Sequence, residues 1–177
     1  SASLKGIGWT EKAYRYYAEN GLGGQLFGFW GYDGDERVGK YGLEGYFNEE
    51  LTGEDGYLLG DKGSYKGEKI IIDKEEYQTP VDGQNLVLTI DYAVQLHICQ
   101  KLEEAQAKHS FTGGSIIVMD PKTGKIIAMC SWPNFDPNNY QDVSDTSLFD
   151  NQTVSYQYEP GSVFKTITMA IAIDQGK

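Results

Sequence analysis

Positive charge is scarce in this chain. Its 15 lysines and arginines stand against 26 aspartates and glutamates over 177 residues, a formal net charge of −11. Such a surface repels phosphate backbones and anionic lipid alike, so nucleic acid is not an expected partner. Long apolar runs are lacking too: none approaches the roughly 18 residues that span a bilayer, and Ser1-Ala2-Ser3 does not open a signal peptide. Any membrane anchor is therefore expected upstream of Ser1. Histidine and cysteine occur only twice each. His97 has no second histidine or carboxylate at ligand spacing and reads as a packed helical histidine. Cys99 and Cys130 have neither metal spacing nor the density of a disulfide framework, and read as two buried free thiols. Asp33-Gly34-Asp35 begins like a calcium loop but fails, because Arg37 and Val38 fall where an oxygen ligand and a glycine are needed. No metal and no cofactor is expected.

What is present is globular in character, 40% hydrophobic and 13% aromatic, and long enough for one ordinary domain or two small ones. Residues 1–66 are rich in glycine and tyrosine, with a helical turn expected within Glu11–Asn20 and turns between short aromatic strands over Gly21–Gly34. The texture changes after Gly67. Lys69–Ile72 reads as a strand, Gln78–Gly83 with Pro80 as a linker, and Leu86–Ile90 as a second strand. The domain boundary is placed near Pro80, dividing 1–80 from 81–177. Asp91 should cap a helix reaching about Lys108, with Val94, Ile98, Leu102 and Ala105 on one stripe. Ser115–Met119 and Lys125–Met129 form a hairpin through Asp120-Pro121-Lys122-Thr123-Gly124. Both arms are apolar over most of their length, which predicts a sheet covered on both faces. Trp132–Tyr140 is a loop by composition. Asn151-Gln152-Thr153 has the form of a glycosylation acceptor but reads as loop.

The stretch Tyr158-Glu159-Pro160-Gly161-Ser162-Val163-Phe164-Lys165 carries the chemistry. Pro160 and Gly161 break what precedes them, Ser162 is an N-cap type of residue, and Val163–Ile173 runs apolar. A helix there brings Lys165 onto the face of Ser162, since residues three apart are neighbours. A serine hydroxyl is a poor nucleophile until an adjacent base takes its proton, and lysine can serve once burial keeps a fraction of it neutral. A helix apolar on nearly every side predicts that burial. The spacing alone is weak evidence, because Ser followed three residues later by Lys arises by chance about once in a chain of this size. A capped structural helix is the competing reading.

Tyr158–Lys165, with Thr166-Ile167-Thr168 after it, resembles the active-serine motif of the penicillin-binding proteins. The likeness extends to the pedestal of the class B members: Gly39-Lys40-Tyr41-Gly42-Leu43-Glu44 matches a Gly-x-x-Gly-x-Glu motif, followed by Tyr46, Asn48, Leu51 and Gly53. Arg15-Tyr16-Tyr17-Ala18 is similar to an Arg-x-Tyr-Pro motif, with Ala18 in place of proline. Leu86–Asp91, the helix, the hairpin and Ser131–Asn138 are similar to the opening of the transpeptidase domain. The resemblance implies an α+β fold: an irregular β-rich pedestal, then the N-terminal part of a transpeptidase domain, an antiparallel sheet with helices on both faces. It implies that Ser162 is acylated by the D-Ala-D-Ala end of a peptidoglycan stem peptide, or by a β-lactam, with Lys165 assisting proton transfer. Arg15, Gly39, Gly42 and Glu44 would form the structural pedestal motif, with Arg15 and Glu44 paired. The domain would lie outside the cytoplasmic membrane, among other cell wall synthesis proteins.

Lys122-Thr123-Gly124 spells the family's third active-site motif but precedes the serine, in a hairpin turn, and is assigned no catalytic role. The family's Ser-x-Asn motif and its true Lys-Thr-Gly strand do not follow Ser162 within the sequence. Loss of one oxyanion donor alone costs about 100 to 1,000-fold in rate, so these 177 residues by themselves are expected to be inactive. The apolar helix would then be covered by the rest of the transpeptidase domain as a second polypeptide. Glu159 before Pro160 leans toward the division or sporulation branch. The alternatives are a non-catalytic scaffold module, or a β-lactam sensor or β-lactamase relative.

Overall fold

A computed structural model of the chain describes residues 14–18, 22–59, 63–65, 68–70 and 76–176. The first part is a set of small antiparallel pairs. After a single turn of helix, α1 (Gly24–Phe27), β1 (Phe29–Asp33) pairs with β2 (Glu36–Lys40) through Gly34-Asp35, with Asp33 opposite Glu36. The supposed calcium loop is thus a two-residue hairpin turn, for which Gly34 supplies the left-handed backbone at φ 61°. Two short helices follow, α2 (Gly42–Tyr46) and α3 (Asn48–Leu51), and then β3 (Tyr57–Leu59), β4 (Gly63–Tyr65), β5 (Glu68–Ile70) and β6 (Glu76–Gln78), pairing β3 with β6 and β4 with β5. The strand expected over Lys69–Ile72 appears as β5, and Ile71 and Ile72 lie outside the described residues. Of the helical turn expected within Glu11–Asn20, residues 14–17 are irregular, while 11–13 and 19–20 lie outside the described residues.

The second part is built on one helix and one hairpin. Asp91 caps α4 (Tyr92–His109) by accepting from the Val94 amide, as the sequence indicates. The hairpin pairs β7 (Gly114–Met119) with β8 (Ile126–Trp132). Its turn is held by Asp120, whose carboxylate accepts from the Lys122 amide and the Thr123 hydroxyl, so the Lys-Thr-Gly sequence there does turn chemistry. Helix α4 lies on the hairpin, with Ile98, Leu102, Ala128 and Cys130 as the buried cluster between them. Coverage on both faces does not extend to β7, where Ile117 and Met119 remain exposed. Only β8 is buried over consecutive residues, Ala128 to Ser131.

Three other expectations are corrected. Residues 86–90 form no strand: they touch the outer edge of β8 only at their end, through Thr89 Oγ1 to Ile126 O (2.6 Å) and the Asp91 amide to Ile127 O (2.8 Å). His97 is exposed. It falls beside the Ile98–Leu102 stripe, on the side of α4 turned away from the hairpin. Cys99 and Cys130 are not free thiols but a disulfide joining α4 to β8, with Cα atoms 5.6 Å apart. They are 31 residues apart in sequence and meet only because the helix packs across that strand.

The two parts share a second core of Phe29, Phe135 and Phe149. Beyond β8 the chain forms 3-10 turns at Pro137–Asp142 and Thr146–Phe149, then α5 (Gln152–Ser155). Asn151 caps α5 by accepting from the amide and the hydroxyl of Thr153.

Candidate active site and pedestal cluster

Ser162 lies in a 3-10 turn, Gly161–Phe164, that runs directly into α6 (Lys165–Asp174). It is not the N-cap. Pro160 holds that place with φ −71° and ψ −18°, and Gly161 after it takes a left-handed φ of 56° that a glycine accommodates without strain. The Lys165 amide donates to the Ser162 carbonyl, which makes the two residues the ends of one 3-10 turn. Side chains three apart eclipse in that geometry, so a hydroxyl and an amine leave the same face of the chain. The threonine hydroxyls nearby are committed, Thr166 to Val163 O and Thr168 to Phe164 O. Ser162 Oγ makes no hydrogen bond among the described residues. It is the hydroxyl of this segment left available for chemistry.

The burial expected around Lys165 is not supplied by the described residues. Val163 (69%), Met169 (62%) and Ile173 (69%) are exposed, and Lys165 with them. Helix α6 is apolar on nearly every side because its sequence is fitted to an interior, yet the elements described here cover none of its faces.

The pedestal residues assemble elsewhere. Arg15 Nε lies 3.0 Å from Glu44 Oε1, and the same carboxylate oxygen accepts from the Tyr17 hydroxyl at 3.2 Å. Burial and the negative charge of Glu44 together push the Tyr17 phenol well above its ordinary pKa. Gly39 and Gly42 explain why glycine recurs here. A Cβ on Gly39 would strike the Glu44 carbonyl, and one on Gly42 would come within 2.5 Å of Leu26 O at a φ of 44°. The missing side chain at Gly39 lets β2 close on α2, and that at Gly42 lets α2 close on the end of α1, which together fix the backbone that carries Glu44 to Arg15. Tyr17 was the member of this cluster not singled out from sequence. Its position two residues after Arg15, where the Arg-x-Tyr spacing puts it, was the available signal.

Among the described residues there is no group of histidine, cysteine, aspartate or glutamate side chains able to hold a metal ion, and no helix long and apolar enough to cross a membrane. The family model for the penicillin-binding protein dimerisation domain matches residues 1–88, and that for the penicillin-binding protein transpeptidase domain matches residues 114–177. Stage V sporulation protein D of Bacillus subtilis is 37% identical over 174 residues, and the peptidoglycan D,D-transpeptidase FtsI of Buchnera aphidicola 33% over 173, each alignment covering 98% of this chain. The chain spans only 26% and 29% of those two relatives. Among solved structures, penicillin binding protein 2X of Streptococcus thermophilus superposes with a TM-score of 0.63 at 26% identity, over 79% of this chain and 20% of that one. A peptidoglycan synthetase of Bifidobacterium adolescentis gives 0.66 at 28% identity, over 89% and 28%.

Proposed function

The chain belongs to the class B penicillin-binding proteins, and from that premise we propose that it is part of a serine D,D-transpeptidase that cross-links peptidoglycan. Residues 1–80 are the pedestal, and 81–177 open the catalytic domain. The observation that carries the reading is the single 3-10 turn holding Ser162 and Lys165 with the serine hydroxyl uncommitted. Ser162 Oγ attacks the carbonyl of the penultimate D-Ala of a stem peptide while Lys165 Nζ takes its proton. The C–N bond breaks, the departing D-Ala amine receives a proton, and the ester on Ser162 is passed to an amine of a neighbouring stem. A β-lactam ring opens by the same attack and leaves a stable ester.

Proton transfer of this kind needs Lys165 neutral part of the time, which requires a dry surrounding. We assign that role to the remainder of the transpeptidase domain, packed on the apolar faces of α6. The Arg15–Glu44–Tyr17 cluster holds the pedestal together and stays away from the reaction. The domain stands outside the cytoplasmic membrane, where the Cys99–Cys130 disulfide persists. The likeness to sporulation and division relatives supports a role in septal or spore wall synthesis.

Full-length protein incubated with fluorescent penicillin is expected to become covalently labelled. Ser162→Ala should abolish the label, and Lys165→Ala should slow it by about 100-fold or more, the usual contribution of a positioned base. Undiminished labelling of Ser162→Ala overturns the assignment.

A further inference from the structure

The chain enters the candidate active site through a turn that a residue with a side chain cannot make freely. The Val163 amide donates to the Pro160 carbonyl at 3.4 Å and closes a four-residue turn around Gly161 and Ser162. Gly161 has φ 56°, while Ser162 keeps a negative φ. A positive φ at the first central residue alone is the sign pattern of a type II′ turn, which glycine supplies. The residues on either side are right-handed: Pro160 at φ −71° and ψ −18°, Phe164 at −62° and −19°, Lys165 at −61° and −27°. Gly161 is thus the break in a helical course that would otherwise run from Pro160 into α6, and it falls directly before the nucleophile.

Space does not call for glycine here. A Cβ on Gly161 would meet nothing within 4 Å among the described residues, unlike Gly39 and Gly42, where it would strike backbone. What disfavours a larger residue is the sign of φ alone, a handicap of about 5- to 30-fold in population for an ordinary L-residue. Nor is the approach to the turn tied down. From Gln157 to Ser162 no backbone amide donates to another backbone group among the described residues, and Tyr156 and Tyr158 are exposed. A residue with a Cβ at 161 therefore relieves its strain by turning φ negative. Because Pro160 is already right-handed, that one rotation, of about 120° from the observed φ to the helical value, joins Pro160 to α6 as a continuous helix. Ser162 then lies inside the helix, and the segment before it swings across the face that Ser162 shares with Lys165.

We infer that Gly161 is a positioning residue for the acyl transfer: its left-handed turn stops the helix short of Ser162 and keeps the nucleophile, with Lys165, at an open helix head. The inference rests on the role proposed above for Ser162. It adds that the site gives up helix stability for access. Alanine, the residue that would best extend α6 through position 161, is the one that closes the head and slows the reaction.

The test measures kcat and KM of the full-length protein for a thioester analogue of the D-Ala-D-Ala end, together with its thermal midpoint. Gly161→Ala is expected to lower kcat about 5- to 30-fold with KM nearly unchanged, while the midpoint equals that of wild type or rises. A lower midpoint with unchanged kcat is what a merely structural glycine would give, and it overturns the inference. Asparagine enters the left-handed region several-fold more readily than most L-residues, so Gly161→Asn should turn over at least threefold faster than Gly161→Ala. Equal rates in the two variants overturn the inference as well, and Gly161→Ser replaces the alanine variant in this comparison if that one does not fold. Gly176, past the other end of α6, supplies a matched control, with φ 68° and open space around its Cβ. Gly176→Ala is expected to leave kcat unchanged; a loss equal to that of Gly161→Ala would trace the effect to the helix as a whole and overturn the role of the turn. Fluorescent penicillin separates this role from the function beneath it. Labelling lost in Ser162→Ala but a wild-type kcat in Gly161→Ala overturns the positioning role alone, whereas labelling that survives Ser162→Ala overturns both.

Discussion

Tyr17 shows how one side chain can tie the pedestal to the pH of its surroundings. Its hydroxyl bonds the Glu44 oxygen that Arg15 also meets, and its backbone is gripped by Asn138, which accepts from the Tyr17 amide at 2.9 Å and donates to the Tyr17 carbonyl at 2.8 Å. Burial first and Glu44 second raise the phenol pKa in the folded protein above the ordinary 10.0. A group whose folded pKa is raised contributes stability that is complete below the unfolded pKa and is lost as pH climbs through the folded one. The folded state therefore weakens above pH ~10, where the unfolded chain releases this proton and the native one holds it. Tyr17→Phe has no proton to release. The variant is expected to be less stable by about 1–2 kcal/mol at pH 8, from the lost hydrogen bond to a carboxylate. Its gap to wild type should narrow between pH 10 and 12, as read from urea unfolding at each pH. A gap that stays constant would show that Glu44 and Tyr17 are not coupled in solution.

Carboxamide side chains do the work of missing strands in several elements of this fold. Gln95, buried to 1% exposure on α4, donates from Nε2 to Met129 O at 2.6 Å and accepts from the Met129 amide at 2.7 Å, so it satisfies both backbone groups of one residue of β8. Asn138 treats Tyr17 in the same way, and Gln25 donates to Pro133 O at 2.7 Å. Replacing Gln95 by leucine keeps the volume and leaves a buried N–H and C=O without partners, at about 1–3 kcal/mol for each group. Loss of several kcal/mol in urea unfolding is expected, and a loss below about 1 kcal/mol would mean that β8 finds another partner. Such residues were not legible in the sequence, where a glutamine at position 95 reads as one more polar helical residue. Helix α4 and the β7–β8 hairpin were legible, because their signals are local: a cap at Asp91, a stripe at helical spacing, a Pro-Gly turn. The lack of a strand at 86–90, the Cys99–Cys130 bridge and the exposure of α6 depend on which element arrives opposite. The Ser162–Lys165 turn was readable in outline, but its 3-10 geometry and its N-cap at Pro160 were not, since Ser162 looked like the better cap.

The pedestal and the opening of the catalytic domain are joined by rings more than by polar bonds. Phe29 of β1, at 3% exposure, stacks on Tyr140 with centroids 4.2 Å apart and planes at 9°, and meets Phe149 edge-on at 4.7 Å and Phe135 at 6.2 Å. Three of these four rings come from residues past 130, so a residue of the first module has its core in the second. Among the described residues of the first module, Phe29 is the one large apolar side chain that is buried, and its ring partners from past residue 130 complete the core around it. Neither part is therefore expected to unfold alone, and heat or denaturant should give one transition in which pedestal and catalytic-domain probes coincide. Truncating a buried phenylalanine costs about 3–5 kcal/mol, and here the loss falls on the joint between the modules. In Phe29→Ala the pedestal should open first, seen as early hydrogen exchange across β1 and β2, while the α4–β8 core, closed by its own apolar cluster and its disulfide, stays protected to a later transition. Coincident exchange of both modules in the variant would mean that contacts other than this ring stack carry the coupling.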